Sequence, residues 1–256
     1  MNLPLEEKKE LKNYNVRLKD TIEILTKRLF YVLFEELNNK EEELSVLKIT
    51  FLEIASKLSI ENEETVWNTF KGQFLSIRKK LDLDAIAIEK NDPATKSLLE
   101  VYLASPGFYA ISVYRLSHEL YKLRIPILPR MMSEHAHGIT GIDIHPGATI
   151  GDSFFVDHGT GIVIGETSII KNNVKIFQGV TLGGIQVKKS MSSTKRHPTI
   201  EDNVTIYANA TILGGDITIG ANSTIGANVW ITKSVPENSL VTYQNEIKIR
   251  TKKNGL

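Results

Sequence analysis

The chain has 256 residues and a formal net charge of +1, with 31 basic residues against 30 acidic ones. That balance gives no electrostatic case for nucleic acid or an anionic membrane, and neither is expected as a partner. The absence of cysteine excludes disulfides, thiolate metal sites and a thiol nucleophile, and fits a reducing compartment. The stretch from Met1 to Val16 is charged and lacks the apolar core of a signal sequence. No apolar run approaches the roughly 18 residues of a membrane span, so a cytoplasmic location is expected.

The first half has a helical period. Residues 16–37, with Ile22, Leu25, Leu29 and Leu33, predict a first helix. Leu44, Leu47, Phe51, Ile54 and Leu58 step by three and four, and Val66, Phe70, Phe74, Ile77 and Leu81 do the same. Each set places an apolar stripe along one helix, and its plain meaning is core packing. Ser105-Pro106-Gly107 predicts a turn, and Phe108 to Leu123 a further helix. Pro126 and Pro129 interrupt, and a short helix through Met131 and Met132 is expected to end near Gly138.

From Ile142 the period changes to six. Ile144, Ile150 and Val156 form one run. After a two-residue insertion come Ile164, Ile170, Ile176 and Leu182. Ile200, Ile206 and Ile212 follow, and, with one extra residue, Ile219, Ile225 and Ile231. This hexapeptide period predicts a parallel β-helix: each short strand sends one aliphatic side chain inward onto its equivalents in neighbouring coils, and stacking buries what one coil cannot. The expected class is α+β, with a helical region over 1–138, a parallel β-helix over 139–240 and a tail over 241–256. Two breaks stand out. The insertion near 157–163 disturbs one corner beside His158, and Gly183 to Lys195 leaves the repeat as an extruded loop.

Several motifs punctuate the repeat: Asp143-Ile144-His145-Pro146, Asp157-His158-Gly159-Thr160-Gly161 leading into Ile164-Gly165-Glu166-Thr167, Gly179-Val180-Thr181-Leu182-Gly183-Gly184, and Arg196-His197-Pro198. Together with Asn91-Asp92-Pro93-Ala94 and Gly107-Phe108-Tyr109-Ala110, this set resembles the serine acetyltransferase family. The resemblance covers about Asp92 to Val235. It implies a left-handed triangular coil and transfer of acetyl from acetyl-CoA, as co-substrate, to the L-serine hydroxyl. By resemblance His158 is the general base, work that suits histidine because an unperturbed imidazole has a pKa of about 6.5, and Asp143 is the carboxylate that orients it. Asp92 and Asp157 match acids that bind the serine ammonium, Arg196 matches the carboxylate clamp, and His197 a second substrate-site histidine. Gly184, Ala208 and Ala227 match positions along the acetyl-CoA groove; no metal is expected. The resemblance further implies L-cysteine as a feedback inhibitor and a homotrimer or dimer of trimers. The apolar stripes of residues 16–81 suggest that the helical half joins the trimers.

The sequence departs from the family at three places. Ser239 to Asn245 replaces a frequent Gly-Val-Pro-Ala, Tyr109 stands where histidine is frequent, and the 185–195 loop is unfamiliar. The tail from Lys248 closes on Leu256, where many members carry an isoleucine that docks into O-acetylserine sulfhydrylase; the same docking is an expectation here.

Other readings stay open on the residues alone. His158 is otherwise a turn histidine, Arg196-His197 a surface pair, Asp92 a helix N-cap, and Gly184, Ala208 and Ala227 small turn residues. The wider alternatives are a hexapeptide acyltransferase for a sugar or homoserine, a γ-type carbonic anhydrase using His137, His145 and His158, and a non-catalytic scaffold.

Overall fold

The computed structural model describes residues 16–36, 38–185 and 194–244. The C-terminal tail with Leu256 and most of the extruded loop lie outside the described residues, and so does the expected sulfhydrylase docking.

Seven helices come first: α1 (Leu18–Phe34), α2 (Lys40–Lys57), α3 (Glu63–Gly72), α4 (Phe74–Asn91), α5 (Leu98–Ala104), α6 (Pro106–Lys122) and α7 (Leu128–Thr140). The stripe from Val66 to Leu81 is divided between α3 and α4, which meet at Gln73. Gly72 weakens the helix there, yet the apolar spacing runs through the break unchanged and hides it. Ser105-Pro106-Gly107 is a helix start rather than a free turn. Ser105 Oγ accepts the Phe108 N–H at 3.1 Å, and Pro106 occupies the first turn, where its missing N–H costs nothing. α7 runs past Gly138 to Thr140 and is closed by Gly141 in the left-handed conformation at φ 71°.

The apolar stripes are internal. Leu25, Leu29, Leu47, Phe51, Ile54, Phe70 and Leu81 are buried within the chain itself. They therefore pack the helical core, while Ile24, Tyr31, Ile49 and Leu75 of the same helices stay exposed.

The solenoid follows in coils of three strands. The first coil is β1 (Asp143–Ile144), β2 (Thr149–Ile150) and β3 (Phe155–Asp157), and the second β4 (Val163–Ile164), β5 (Ile169–Ile170) and β6 (Lys175–Phe177). The third is β7 (Thr181–Gly183), β8 (Thr199–Ile200) and β9 (Thr205–Ile206), and the fourth β10 (Thr211–Leu213), β11 (Thr218–Ile219) and β12 (Thr224–Ile225). β13 (Trp230–Ile231) and β14 (Leu240–Val241) close the stack. All pairings are parallel and form three faces, β1-β4-β7-β10-β13, β2-β5-β8-β11 and β3-β6-β9-β12-β14.

The six-residue aliphatics register one on another. Ile144, Ile164, Leu182, Ile212 and Ile231 align on the first face. Ile150, Ile170, Ile200 and Ile219 align on the second, and Val156, Ile176, Ile206, Ile225 and Val241 on the third. A second inward position two residues earlier holds Ala148, Phe154, Ile162, Val174, Val180, Ala210 and Ser223, also buried. At the corner between the second and third faces Asn173, Asn203, Asn222 and Asn238 take φ of 57–60°, a left-handed turn that asparagine tolerates.

β2 lies at the edge of its sheet, where unpaired backbone groups must be satisfied. The helices do this. Tyr114 Oη donates to Ala148 O at 2.7 Å and accepts from Ile150 N at 3.1 Å. Arg115 Nη2 donates to Gly151 O at 2.8 Å. α6 is thus the lid on the first coil.

Candidate active site

The site residues fall at two corners of the prism. At the corner between the third and first faces, Asp157 ends β3 and His158 follows. Every coil turns here through a left-handed residue three positions after its stacked aliphatic: Gly159, Gly179, Asn209 and Asn228. His158 is an additional one, at φ 54°, and Gly161 another at φ 81°. The two-residue insertion read from the sequence follows Gly159 and opens this corner beside His158, which alone among the residues at its phase of the coil takes a left-handed conformation. A non-glycine residue held at positive φ is uncommon, and such residues concentrate at functional sites. The His158 side chain is 72% exposed, and its Nδ1 lies 3.8 Å from Asp157 Oδ1.

A cavity of about 740 Å³ opens beside it, lined among others by Asp92, Thr95, Glu100, Gly107, Asp157 and His158. Asp92 closes the C-terminus of α4 rather than capping the next helix, whose N-cap is Ser97. Its Oδ2 accepts from Thr95 Oγ1 at 2.7 Å and its Oδ1 from Ala94 N at 2.8 Å. The Thr95 hydroxyl, then the Ala94 and Thr95 N–H groups and nearby His158, hold this carboxyl below its ordinary range against the opposing effect of burial. Three carboxylates, Asp92, Glu100 and Asp157, line this cavity with a single imidazole. Such a field suits a ligand ammonium and a proton-accepting histidine. Asp143 sits on β1, next to Ile142, on which Gly159 packs so closely that a Cβ there would lie 2.4 Å from Ile142 Cδ1. Its carboxylate lies with Glu134 and His137, their donor atoms within 4.8 Å of one another. The carboxylate within 4 Å of the His158 ring nitrogens is that of Asp157, not Asp143.

Arg196 and His197 lie at the other corner, between the first and second faces. Thr167 clamps them: its hydroxyl accepts the Arg196 N–H at 2.8 Å and the His197 N–H at 3.1 Å, and its own N–H donates to His197 Nδ1 at 3.0 Å. Nδ1 is thus an acceptor, which leaves the ring proton on Nε2. Burial, then the Arg196 charge, push the His197 imidazole down to about 4. Gly165 makes this packing possible, since a Cβ there would fall 2.1 Å from the imidazole. Arg196 Nη2 pairs with Glu166, whose other oxygen accepts from Tyr121 Oη at 2.8 Å. Burial raises the Glu166 carboxyl, but the Arg196 and Tyr121 hydrogen bonds outweigh it and hold the group below its usual range.

Ala208 and Ala227 occupy the His158 corner, each two residues after a stacked aliphatic, as His158 is; Gly184 occupies the Arg196 corner in the coil above Glu166. One chain therefore brings Asp92, Asp157 and His158 to one cavity, aligns Ala208 and Ala227 two and three coils further along the same corner, and places Gly184, Arg196 and His197 separately. Glu166, Thr167 and Tyr121 were given no role from the sequence. Glu166-Thr167 stood inside a quoted motif, but their partners come from α6 and from beyond the loop. His137, His145 and His158 do not gather into one donor cluster among the described residues.

The model of the bacterial transferase hexapeptide (six repeats) matches residues 197–233. A plasmid-borne serine acetyltransferase of Synechococcus elongatus is 50% identical over 171 residues, 65% of this chain and 53% of the relative. The chain thus spans about half the length of the curated relatives it matches. The crystal structure of serine acetyltransferase isoform 3 from Entamoeba histolytica, in complex with cysteine, is 38% identical at a TM-score of 0.80, covering 95% of this chain and 86% of that one. The chain belongs to the serine acetyltransferase family. A serine acetyltransferase complex with CoA is 30% identical at a TM-score of 0.63, covering 84% of this chain and 80% of that one. Within this family the three-faced solenoid is a left-handed parallel β-helix.

Proposed function

We propose that the chain transfers acetyl from acetyl-CoA to the hydroxyl of L-serine. The observation that carries the reading is the acidic cavity with His158 at its rim. His158 takes the hydroxyl proton while the serine oxygen attacks the thioester carbonyl. The tetrahedral intermediate then expels the CoA sulfur, to which the imidazole returns the proton. Asp92 and Asp157 hold the ammonium. The exposed His158 ring swings toward Asp143, which fixes its tautomer as the aspartate of a hydrolase triad does.

A serine carboxylate at this cavity still lacks its cation, because Arg196 and His197 stand at another corner. We infer that the site is completed between chains of a homotrimer, alone or as a dimer of trimers. The His158 corner of one protomer faces the Arg196 corner of its neighbour, and Glu166 and Tyr121 fix the plane of the guanidinium. Acetyl-CoA runs between the two corners past Ala208, Ala227 and Gly184, which leave its amide-rich arm access to the backbone. L-cysteine, which shares the ammonium and carboxylate of serine, occupies the same place as an inhibitor; the cysteine-bound relative supports this. No helix among the described residues is long and apolar enough to cross a membrane, and a cytoplasmic location, where acetyl-CoA is available, is part of the proposal.

Release of CoA from acetyl-CoA, followed with a panel of amino acids and sugars, tests the reading. Turnover with serine well above all other acceptors is expected; equal or better turnover with a sugar or homoserine refutes it.

A further inference from the structure

Asp84 and Arg115 form a bidentate pair in the interior, Arg115 Nε to Asp84 Oδ2 at 2.5 Å and Nη2 to Oδ1 at 2.8 Å, with side chains 0% and 4% exposed. Neither residue lines the acceptor cavity. Their bonds, however, tie together the elements that do. Asp84 lies on α4, two helical turns before Asp92. Arg115 lies on α6, whose first turn brings Pro106 and Gly107 into the cavity wall, and Gly107 is so close to β3 that a Cβ would fall 2.9 Å from Val156 O. The pair also grips the solenoid. Asp84 Oδ1 accepts the Phe154 N–H at 2.9 Å, and Arg115 Nη2 donates to Gly151 O at 2.8 Å. Phe154 immediately precedes β3, which carries Asp157 and leads to His158.

We propose that the Asp84–Arg115 pair is a positioning device for the acceptor pocket, locking its three walls, the end of α4, the start of α6 and the strand before His158, into one geometry. A buried ion pair is weak evidence for stability, because apolar residues of similar volume often replace it without loss. What apolar residues cannot replace is direction. The planar guanidinium holds two carboxylate oxygens and a backbone carbonyl from a rigid fork, whereas an ammonium offers its three donors from one rotating atom and fixes no plane. The inference rests on the serine reading for its kinetic consequence, but its structural consequence is measurable without any substrate.

The test uses the full chain in two forms, Asp84→Leu with Arg115→Met as an apolar pair, and Arg115→Lys, which keeps the charge and is read instead if the first does not fold. Hydrogen exchange is followed at residues 92–95 and 155–158, beside the KM values for serine and acetyl-CoA and the thermal midpoint. Expected is exchange faster by about tenfold at both segments in a protein that still melts cooperatively. The serine KM should rise by about tenfold or more, with the acetyl-CoA KM within about twofold. Wild-type exchange at these segments in a folded variant overturns the proposal, as does a proportionate rise of both KM values. Faster exchange at both segments, with a wild-type protein that does not acetylate serine, upholds the positioning role and refutes the serine reading instead.

Discussion

The two corners that hold the polar residues are built on opposite plans. The corner at His158 is loosened: it carries an insertion and the additional left-handed residues His158 and Gly161, the imidazole stands in solvent, and its nearest carboxylate is 3.8 Å away. The corner at Arg196 is tightened: Thr167 makes four hydrogen bonds to the Arg196-His197 segment, Glu166 holds the guanidinium, and His197 is buried and neutral. A base that must approach a hydroxyl benefits from a mobile side chain. A cation that must meet a planar carboxylate benefits from fixed orientation. On the proposed function, the moving part of the chemistry falls to one corner and the fixed part of recognition to the other.

The largest expected effect follows at the loosened corner. His158→Ala should lower kcat by on the order of 10²–10⁴, the range for loss of a general base, with unfolding unchanged because the side chain is exposed. Near-normal turnover by this variant would remove the base from the mechanism. The next effect asks whether the corners of different chains meet. His158→Ala and Arg196→Ala proteins, each nearly inactive, are unfolded together and reassembled. Random mixing puts an intact pair of corners at roughly a quarter of the interfaces of a cyclic trimer, so about that share of wild-type activity should return. No recovery, with mixed trimers demonstrated, would place each whole site within one chain. Smaller still is the effect at the supporting carboxylate. Glu166→Gln should raise the serine KM by about tenfold with kcat changed less, since it frees the Arg196 plane while keeping the charge that binds. An unchanged KM shows that Glu166 does not set the plane of Arg196.

Much of this architecture was legible in the sequence. One aliphatic per six residues is a signal each strand repeats, and the stacked columns from Ile144 to Ile231 follow it through the insertion and the long loop. The second inward column was not legible because Ala148, Phe154, Ile162 and Ser223, all buried, share no chemical class. In the helical half, the break at Gln73 was hidden because Phe70, Phe74 and Ile77 keep a helical spacing across it. The resemblance named His158, Asp92, Asp157, Arg196 and His197, but their division between corners depends on the phase of each residue within its coil. Glu166 remained without a role because its partners, Tyr121 and Arg196, lie 45 and 30 residues away in the chain.

The smallest expected effect concerns how tightly the second corner is closed. In the unfolded chain His197 titrates near its ordinary value of 6.5, while in the fold burial and Arg196 bring it to about 4, with Lys195 and His145 adding to the repulsion and Glu166 opposing it. Above about pH 6.5 both states are neutral at this site and it imposes no pH dependence. Between about 6.5 and 4 the unfolded chain binds a proton that the folded corner refuses, so folding stability falls as pH falls across that window. His118, His135 and His145 are also lowered by burial and add to the acid loss, so the test is a difference. Urea midpoints at pH 7.5 and pH 5 are compared for wild type and His197→Asn, whose amide oxygen still accepts the Thr167 N–H but takes up no proton. The variant should lose less of its midpoint on acidification. Equal losses would mean that the imidazole meets solvent in the folded state and that the second corner is as open as the first.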